Sequence, residues 1–182
     1  EIVATASAME GHPDNVAACW FGGFTVSVPH TGGVTTASFP CDGTWQLILA
    51  LPAAGLATEE ARGVLPDGYS RADTVFNVQR AALLTAAFAQ ERLDLLRVAM
   101  EDRMHQPYRG GICDLLGHLE DLQSAEEFAG VALSGAGPAL LAVLNEQATL
   151  HGAEDRLRRT LGDQVELVPV RIAAGAQVEH LG

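Results

Sequence analysis

Glu10-Gly11-His12-Pro13-Asp14-Asn15 crowds four chemically capable side chains and a helix-start signal into six residues. Pro13 suits the first turn of a helix, and a polar residue ahead of it can cap that turn. Residues 16–21, Val-Ala-Ala-Cys-Trp-Phe, are apolar enough for a buried helix, which puts His12 and Asn15 at its exposed N-terminal end. Free N–H groups at such an end favour anions, so a phosphate or carboxylate site is one reading. A helix cap beside an ordinary loop is the other. Residues 1–9 read as the middle of a helix with neither an initiator Met nor a targeting signal, so the chain is expected to begin inside a larger protein.

Outward from this turn, Gly22-Gly23 breaks the helical pattern, and residues 24–28, 34–39 and 45–51 are β-rich. Asp42-Gly43 lies between the last two and signals a tight turn. Three consecutive antiparallel strands are the simple expectation. Thr58 is the predicted N-cap of a helix over 58–62, closed by Pro66-Asp67-Gly68. Helices are predicted over 72–90 and 93–104, the second ended by Pro107, and another over 112–122. Residues 131–133 form a short strand running into Ser134-Gly135-Ala136-Gly137-Pro138, with a second strand at 139–144. A helix over 148–161, a strand over 164–172 and a terminal strand at 178–181 complete the reading. The fold class is α+β, βαβ-like with antiparallel additions and with helices on a sheet.

Composition narrows the function. A net charge of −12 offers no basic stripe for phosphate neutralisation, which argues against nucleic acid as a partner. Any anion site must then be built from a few specific arginines. Hydrophobic residues at 48 % with 5 % aromatics fit a compact core built from Ala, Leu and Val. Cys19, Cys41 and Cys113 form no Cys-x-x-Cys or Cys/His cluster, as suits a reducing cytoplasm. No apolar run reaches the length of a membrane span.

The Ser134–Pro138 segment lets backbone approach a ligand closely, and successive N–H groups there can cradle an anion. No Gly-Lys-Ser/Thr follows and the third glycine of a dinucleotide fingerprint is missing, so a tight strand-to-strand turn is the competing account. A serine hydrolase fails, because position 132 is Ala and a strand follows Ser134. His105, His118, His151 and His180 suit a polar surface better than zinc. Arg62 and Arg109 are stronger candidates: Arg109 sits between Pro107 and Gly110, and its fork can take a carboxylate bidentately. A surface ion pair is the alternative for either. Arg80 and Asn77 suit packing and surface roles.

Taken together, Glu10-Gly-His-Pro-Asp-Asn-Val16, Gly22-Gly23-Phe24, His105-Gln-Pro-Tyr-Arg109 and Leu133-Ser-Gly-Ala-Gly-Pro138 resemble the homoserine kinase family of the GHMP kinase superfamily. The first and third segments distinguish it from mevalonate and galactose kinases; the last alone would not. The resemblance covers nearly the whole chain. It implies a GHMP fold, with residues 1–52 as the C-terminal part of an incomplete N-terminal domain and 53–182 as a ferredoxin-like C-terminal domain. The superfamily's Pro-x-x-x-Gly-Leu-Gly-Ser-Ser loop is not in this sequence, so the piece is expected to be inactive by itself. The implied activity is ATP-dependent phosphorylation of L-homoserine with Mg2+, a step of threonine biosynthesis, in the cytoplasm and without membrane partners. By the same resemblance His12, Thr58, Arg62, Arg109, Gly135, Ala136 and Gly137 surround substrate, the two arginines clamping its α-carboxylate. Asn15 stands where related kinases carry an Asp; a neutral amide cannot serve as a general base, so it positions the hydroxyl. Glu10 is the candidate magnesium ligand. A non-catalytic amino-acid-binding or dimerisation module, or another small-molecule GHMP kinase, are the rival readings, and a homodimer is compatible with each.

Overall fold

Two paired glycines and one wholly apolar strand set most of the chain's path. The computed structural model describes residues 2–41 and 44–177. Its contacts divide the chain into two compact units, Glu1–Thr44 with Arg171–Gly182, and Trp45–Val170.

The first unit opens with α1 (Ile2–Glu10) and α2 (Asp14–Phe21), followed by an antiparallel hairpin of β1 (Phe24–His30) and β2 (Gly33–Phe39). Gly22 and Gly23, at φ +67° and +66°, turn the chain from α2 into β1. A Cβ on Gly22 would lie 2.2 Å from the Gly175 nitrogen, and one on Gly23 2.2 Å from the Phe39 carbonyl oxygen. Only glycine fits both positions. Ser27 and Thr36 face each other across the hairpin with their hydroxyls 2.9 Å apart.

The second unit is a four-stranded sheet with helices. Its strands β3 (Leu47–Leu51), β4 (Phe128–Leu133), β5 (Leu140–Leu144) and β6 (Glu166–Val170) run in the order β4-β5-β3-β6, and every neighbouring pair is antiparallel. This corrects the expectation of three consecutive antiparallel strands. β3 does not continue the hairpin; Leu47 pairs with Val143 on one side and Val170 on the other. The cause is composition: Leu-Ile-Leu-Ala-Leu is apolar on both faces, and Leu47, Ile48 and Ala50 are buried, as a central strand requires. β1 and β2 keep one face largely exposed. The Asp42-Gly43 turn and the strand expected at 178–181 lie outside the described residues.

The βαβ expectation is met in split form. β5, α8 (Leu150–Leu161) and β6 make the crossover, but β3 is inserted between the two strands, as in a ferredoxin-like sheet. Thr149 caps α8 by accepting from Gly152 N at 3.1 Å. Ile48, Leu122, Phe128, Leu140 and Leu157 are fully enclosed at the centre of this unit's core.

The helical segments differ from expectation mainly at their ends. α3 (Thr58–Gly63) has Ala57, not Thr58, at its cap position, because Ala57 holds extended backbone and the helix begins one residue later. α4 (Arg71–Ala89) is capped by Ser70, whose Oγ accepts from Asp73 N at 3.0 Å. The helix expected over 93–104 shrinks to a 3-10 turn at Leu93–Leu95 and α5 (Leu96–Ala99). Pro107 does not end a helix: it sits in the first turn of α6 (Gln106–Arg109), where its missing N–H costs nothing. The 112–122 helix resolves into a 3-10 turn at Asp114–His118 and α7 (Leu119–Ser124). Among the described residues no helix is long and apolar enough to cross a membrane.

Candidate functional site

In the first unit, the chain leaves α1 through Gly11, at φ +87°, whose N–H donates to the Ser7 carbonyl at 2.9 Å. Pro13 itself takes the cap position of α2, with no side-chain cap. The polar residues are organised differently from the expected cap. Asp14, in the first turn and exposed, holds the His12 Nδ1 through its Oδ1 and accepts from Asn15 N at 2.8 Å. His12 is thereby oriented with Nδ1 occupied and Nε2 left for another partner. Asn15 and Glu10 are exposed, Glu10 at the end of α1. Among the described residues no cluster of three or more His, Cys, Asp or Glu side chains could hold a metal ion.

In the second unit, α6 carries the central feature. Arg109, only 6 % exposed, donates from Nε to the Ala61 carbonyl at 3.1 Å and from Nη1 to the Gly135 carbonyl at 3.4 Å. One guanidinium therefore joins α3, at the residue beside Arg62, to the glycine loop. Arg62 and Thr58, both on α3, are exposed. The loop closes on itself by Ser134 N to the Ala139 carbonyl (2.8 Å) and Gly137 N to the Ser134 carbonyl (3.0 Å). Gly135 and Gly137 have φ of +58° and +94°, and the Gly137–Pro138 peptide is cis. A Cβ on Gly137 would come within 2.5 Å of Leu133 Cδ2 and 3.0 Å of Cys113 Sγ. Cys113 is buried, and that burial pushes its thiol pKa up.

Two residues of this region escaped the sequence reading. Asp102 accepts at Oδ1 from Asn77 Nδ2 (2.6 Å), Met104 N (3.1 Å) and His105 Nδ1 (3.2 Å). Its Oδ2 accepts from His105 N (2.8 Å) and Gln106 N (2.6 Å). Burial pushes this carboxyl up, but the bonds from the His105 and Asn77 side chains and the Gln106 and His105 amides together win, holding it well below the usual carboxylate range. Gln106, nearly as buried as Arg109, accepts from Leu133 N through Oε1 at 2.9 Å, at the mouth of the glycine loop. The available signal was an Asp a few residues before a short, proline-started helix, where a side chain can serve the free N–H groups. Asn77 is more than a surface residue, since its Oδ1 also accepts from Arg103 N at 2.9 Å. Arg80 pairs with Glu101 at 2.8 Å and stacks 3.5 Å over Phe76. Of the surface histidines, His105 bonds Asp102, His151 lies 3.5 Å from Asp155, and His180 is outside the described residues.

No family model matches the chain. A homoserine kinase of Solibacter usitatus is 48 % identical over 141 residues, covering 77 % of this chain and 46 % of that protein. A homoserine kinase of Deinococcus radiodurans is 41 % identical over 180 residues, covering 94 % and 57 %. A solved homoserine kinase of Cytophaga hutchinsonii matches with a TM-score of 0.75 at 19 % identity, over 91 % of this chain and 53 % of that one, a likeness of fold. The chain spans about half the length of the curated relatives it matches.

Proposed function

We propose, on the premise that the chain belongs to the homoserine kinase family and has the GHMP kinase fold, that the protein carrying it phosphorylates L-homoserine. The γ-phosphoryl group of ATP passes to the side-chain hydroxyl, giving O-phospho-L-homoserine and ADP. The observation that carries this reading is Arg109, a buried fork joining the Arg62 helix to the glycine loop in a chain 41 % identical over 180 residues to a homoserine kinase.

The substrate carboxylate is the anion for which this acidic chain holds back two arginines. Arg109 spends Nε and one Nη1 bond on protein carbonyls, and a guanidinium has five N–H donors, so its remaining ones serve the carboxylate with Arg62. Thr58 and the backbone of Gly135, Ala136 and Gly137 line the same amino-acid end. In the first unit, His12 presents Nε2, its ring held by Asp14. Asn15 orients the hydroxyl without taking its proton. Phosphoryl transfer asks little covalent work of a protein, so positioning the hydroxyl in line with the phosphorus is the main contribution. Magnesium, when bound, neutralises phosphate charge; it needs only one or two carboxylates beside phosphate oxygens and water. Glu10, an exposed carboxylate at a helix end, fits that sparse demand and would hold it.

The test is steady-state kinetics of the intact protein with Arg62→Ala and Arg109→Ala. Both changes raise the homoserine KM if the clamp exists; an unchanged KM in both removes it.

A further inference from the structure

α6 is a single turn of four residues, far too short to hold itself in water. Yet both side chains by which this segment reaches the glycine loop, Gln106 and Arg109, come from it. They stand three residues apart, so they share one face, and both are buried while Tyr108 between them is 40 % exposed. What holds this turn is upstream. Asp102 receives the Gln106 and His105 amides on one oxygen and the Met104 amide, the His105 ring and the Asn77 amide group on the other. Asn77 belongs to α4, so the carboxylate also pins the turn to the longest helix of the unit. Tyr69 adds a bond from its hydroxyl to the Met104 carbonyl at 2.8 Å.

We infer that Asp102 is a positioning residue for the amino-acid site: its carboxylate fixes α6, and through Gln106 and Arg109 it sets the glycine loop against α3. Two lines converge on that loop from α6, Gln106 Oε1 to Leu133 N and Arg109 Nη1 to the Gly135 carbonyl. Both shift together if α6 moves. Displacements of about 1 Å at a substrate-orienting group can cost up to about a hundredfold in rate. Asp102 does not touch substrate; its effect passes through Arg109. The charged groups near it on the adjoining segments are Arg103, which pairs with Asp73, and Glu101, which pairs with Arg80. Neither arginine is bonded to the Asp102 oxygens, which are filled by the neutral donors named above and the His105 ring. The inference rests on the reading of Arg62, Arg109 and the loop as a homoserine site.

The experiment uses the intact protein with Asp102→Asn and Asp102→Ala, measuring the KM for homoserine and for ATP separately, with amide exchange at Leu133 and across α6. The alanine change raises the homoserine KM about tenfold, the asparagine change less because one acceptor oxygen remains, and the ATP KM stays within about twofold. Exchange at Leu133 and Arg109 speeds up in both. A homoserine KM unchanged in both variants, or an ATP KM rising in step with it, overturns the inference, since that is what general destabilisation produces. If the alanine variant does not fold, the near-isosteric asparagine variant decides by the same criteria. If wild-type protein does not phosphorylate homoserine, the functional reading fails separately. Leu133 exchange then decides the positioning role: faster in Asp102→Asn sustains it, unchanged refutes it.

Discussion

Replacing Arg109 with Ala removes a side chain that ties α3 to the glycine loop, and the cost can be worked from its contacts. The guanidinium is 6 % exposed and donates to two carbonyls. The 3.1 Å bond to Ala61 is a sound charge-assisted bond, of the class that contributes about 1.5–3 kcal/mol. The 3.4 Å bond to Gly135 is long and is counted at about 0.5 kcal/mol. Relief of the buried charge's desolvation offsets part of this, while the packing lost with the side-chain stem adds to it. The net expectation is a loss of about 2–4 kcal/mol. With a urea slope of about 2 kcal/mol/M, the unfolding midpoint falls by about 1–2 M. Trp45, buried and 4.7 Å from the Phe88 ring in the same unit, supplies a fluorescence signal for this unit's unfolding. Arg109→Lys keeps the charge but not the fork, and about half the loss is expected from it. An unfolding free energy within about 0.5 kcal/mol of wild type in Arg109→Ala, together with an unchanged homoserine KM, would refute the bracing role.

Arg62 gives the opposite pattern: exposed on α3, it is expected to change stability by less than about 0.5 kcal/mol on substitution by Ala, while the homoserine KM rises about tenfold or more. Gly137→Ala forces a Cβ to 2.5 Å from Leu133 Cδ2 at φ +94°, and about 2–4 kcal/mol of destabilisation is expected in thermal unfolding, with a wild-type melting temperature as the contrary result. Asp102 makes stability depend on acid pH. Its folded pKa lies below the unfolded value of about 3.9, so its contribution is complete above that pH and fades as pH falls toward the folded value. The stability gap between wild type and Asp102→Asn, measured by urea unfolding, should therefore narrow below about pH 4; a gap constant from pH 6 to about pH 3 would show that the carboxylate charge is not the stabilising element.

Local rules carried much of this chain from sequence to structure. Gly22-Gly23 turns the chain where the glycines stand, whereas the caps were less legible: Ser70 and Thr149 cap α4 and α8, and the cap read from sequence, Thr58, gives way to Ala57. The strand–loop–strand of β4 and β5 lies within a residue or a few of its reading, because a short apolar run beside glycines permits few alternatives. What escaped depends on contacts between distant segments. β3 has two apolar faces, and its sequence says that it is central without saying to which sheet; its partners lie about a hundred residues downstream. Asp102 looks like one more acid in an acidic protein until the chain folds five donors around it. Arg109 was legible as an arginine held in a rigid turn, but its two carbonyl partners, 48 and 26 residues away, were not. The His12–Asp14 pair, two residues apart, was within reach of local reasoning and shows that the turn orients a ring rather than capping a helix with it.

Phosphorus NMR of the intact protein with ATP, Mg2+ and L-homoserine reads the proposed phosphoryl transfer itself. The expected result is a phosphomonoester signal growing in step with ADP, dependent on homoserine and lost with an amino acid that lacks the hydroxyl. ATP left unconsumed with homoserine, or a phosphomonoester formed only with an alcohol lacking the α-carboxylate that Arg62 and Arg109 are assigned to hold, would contradict it.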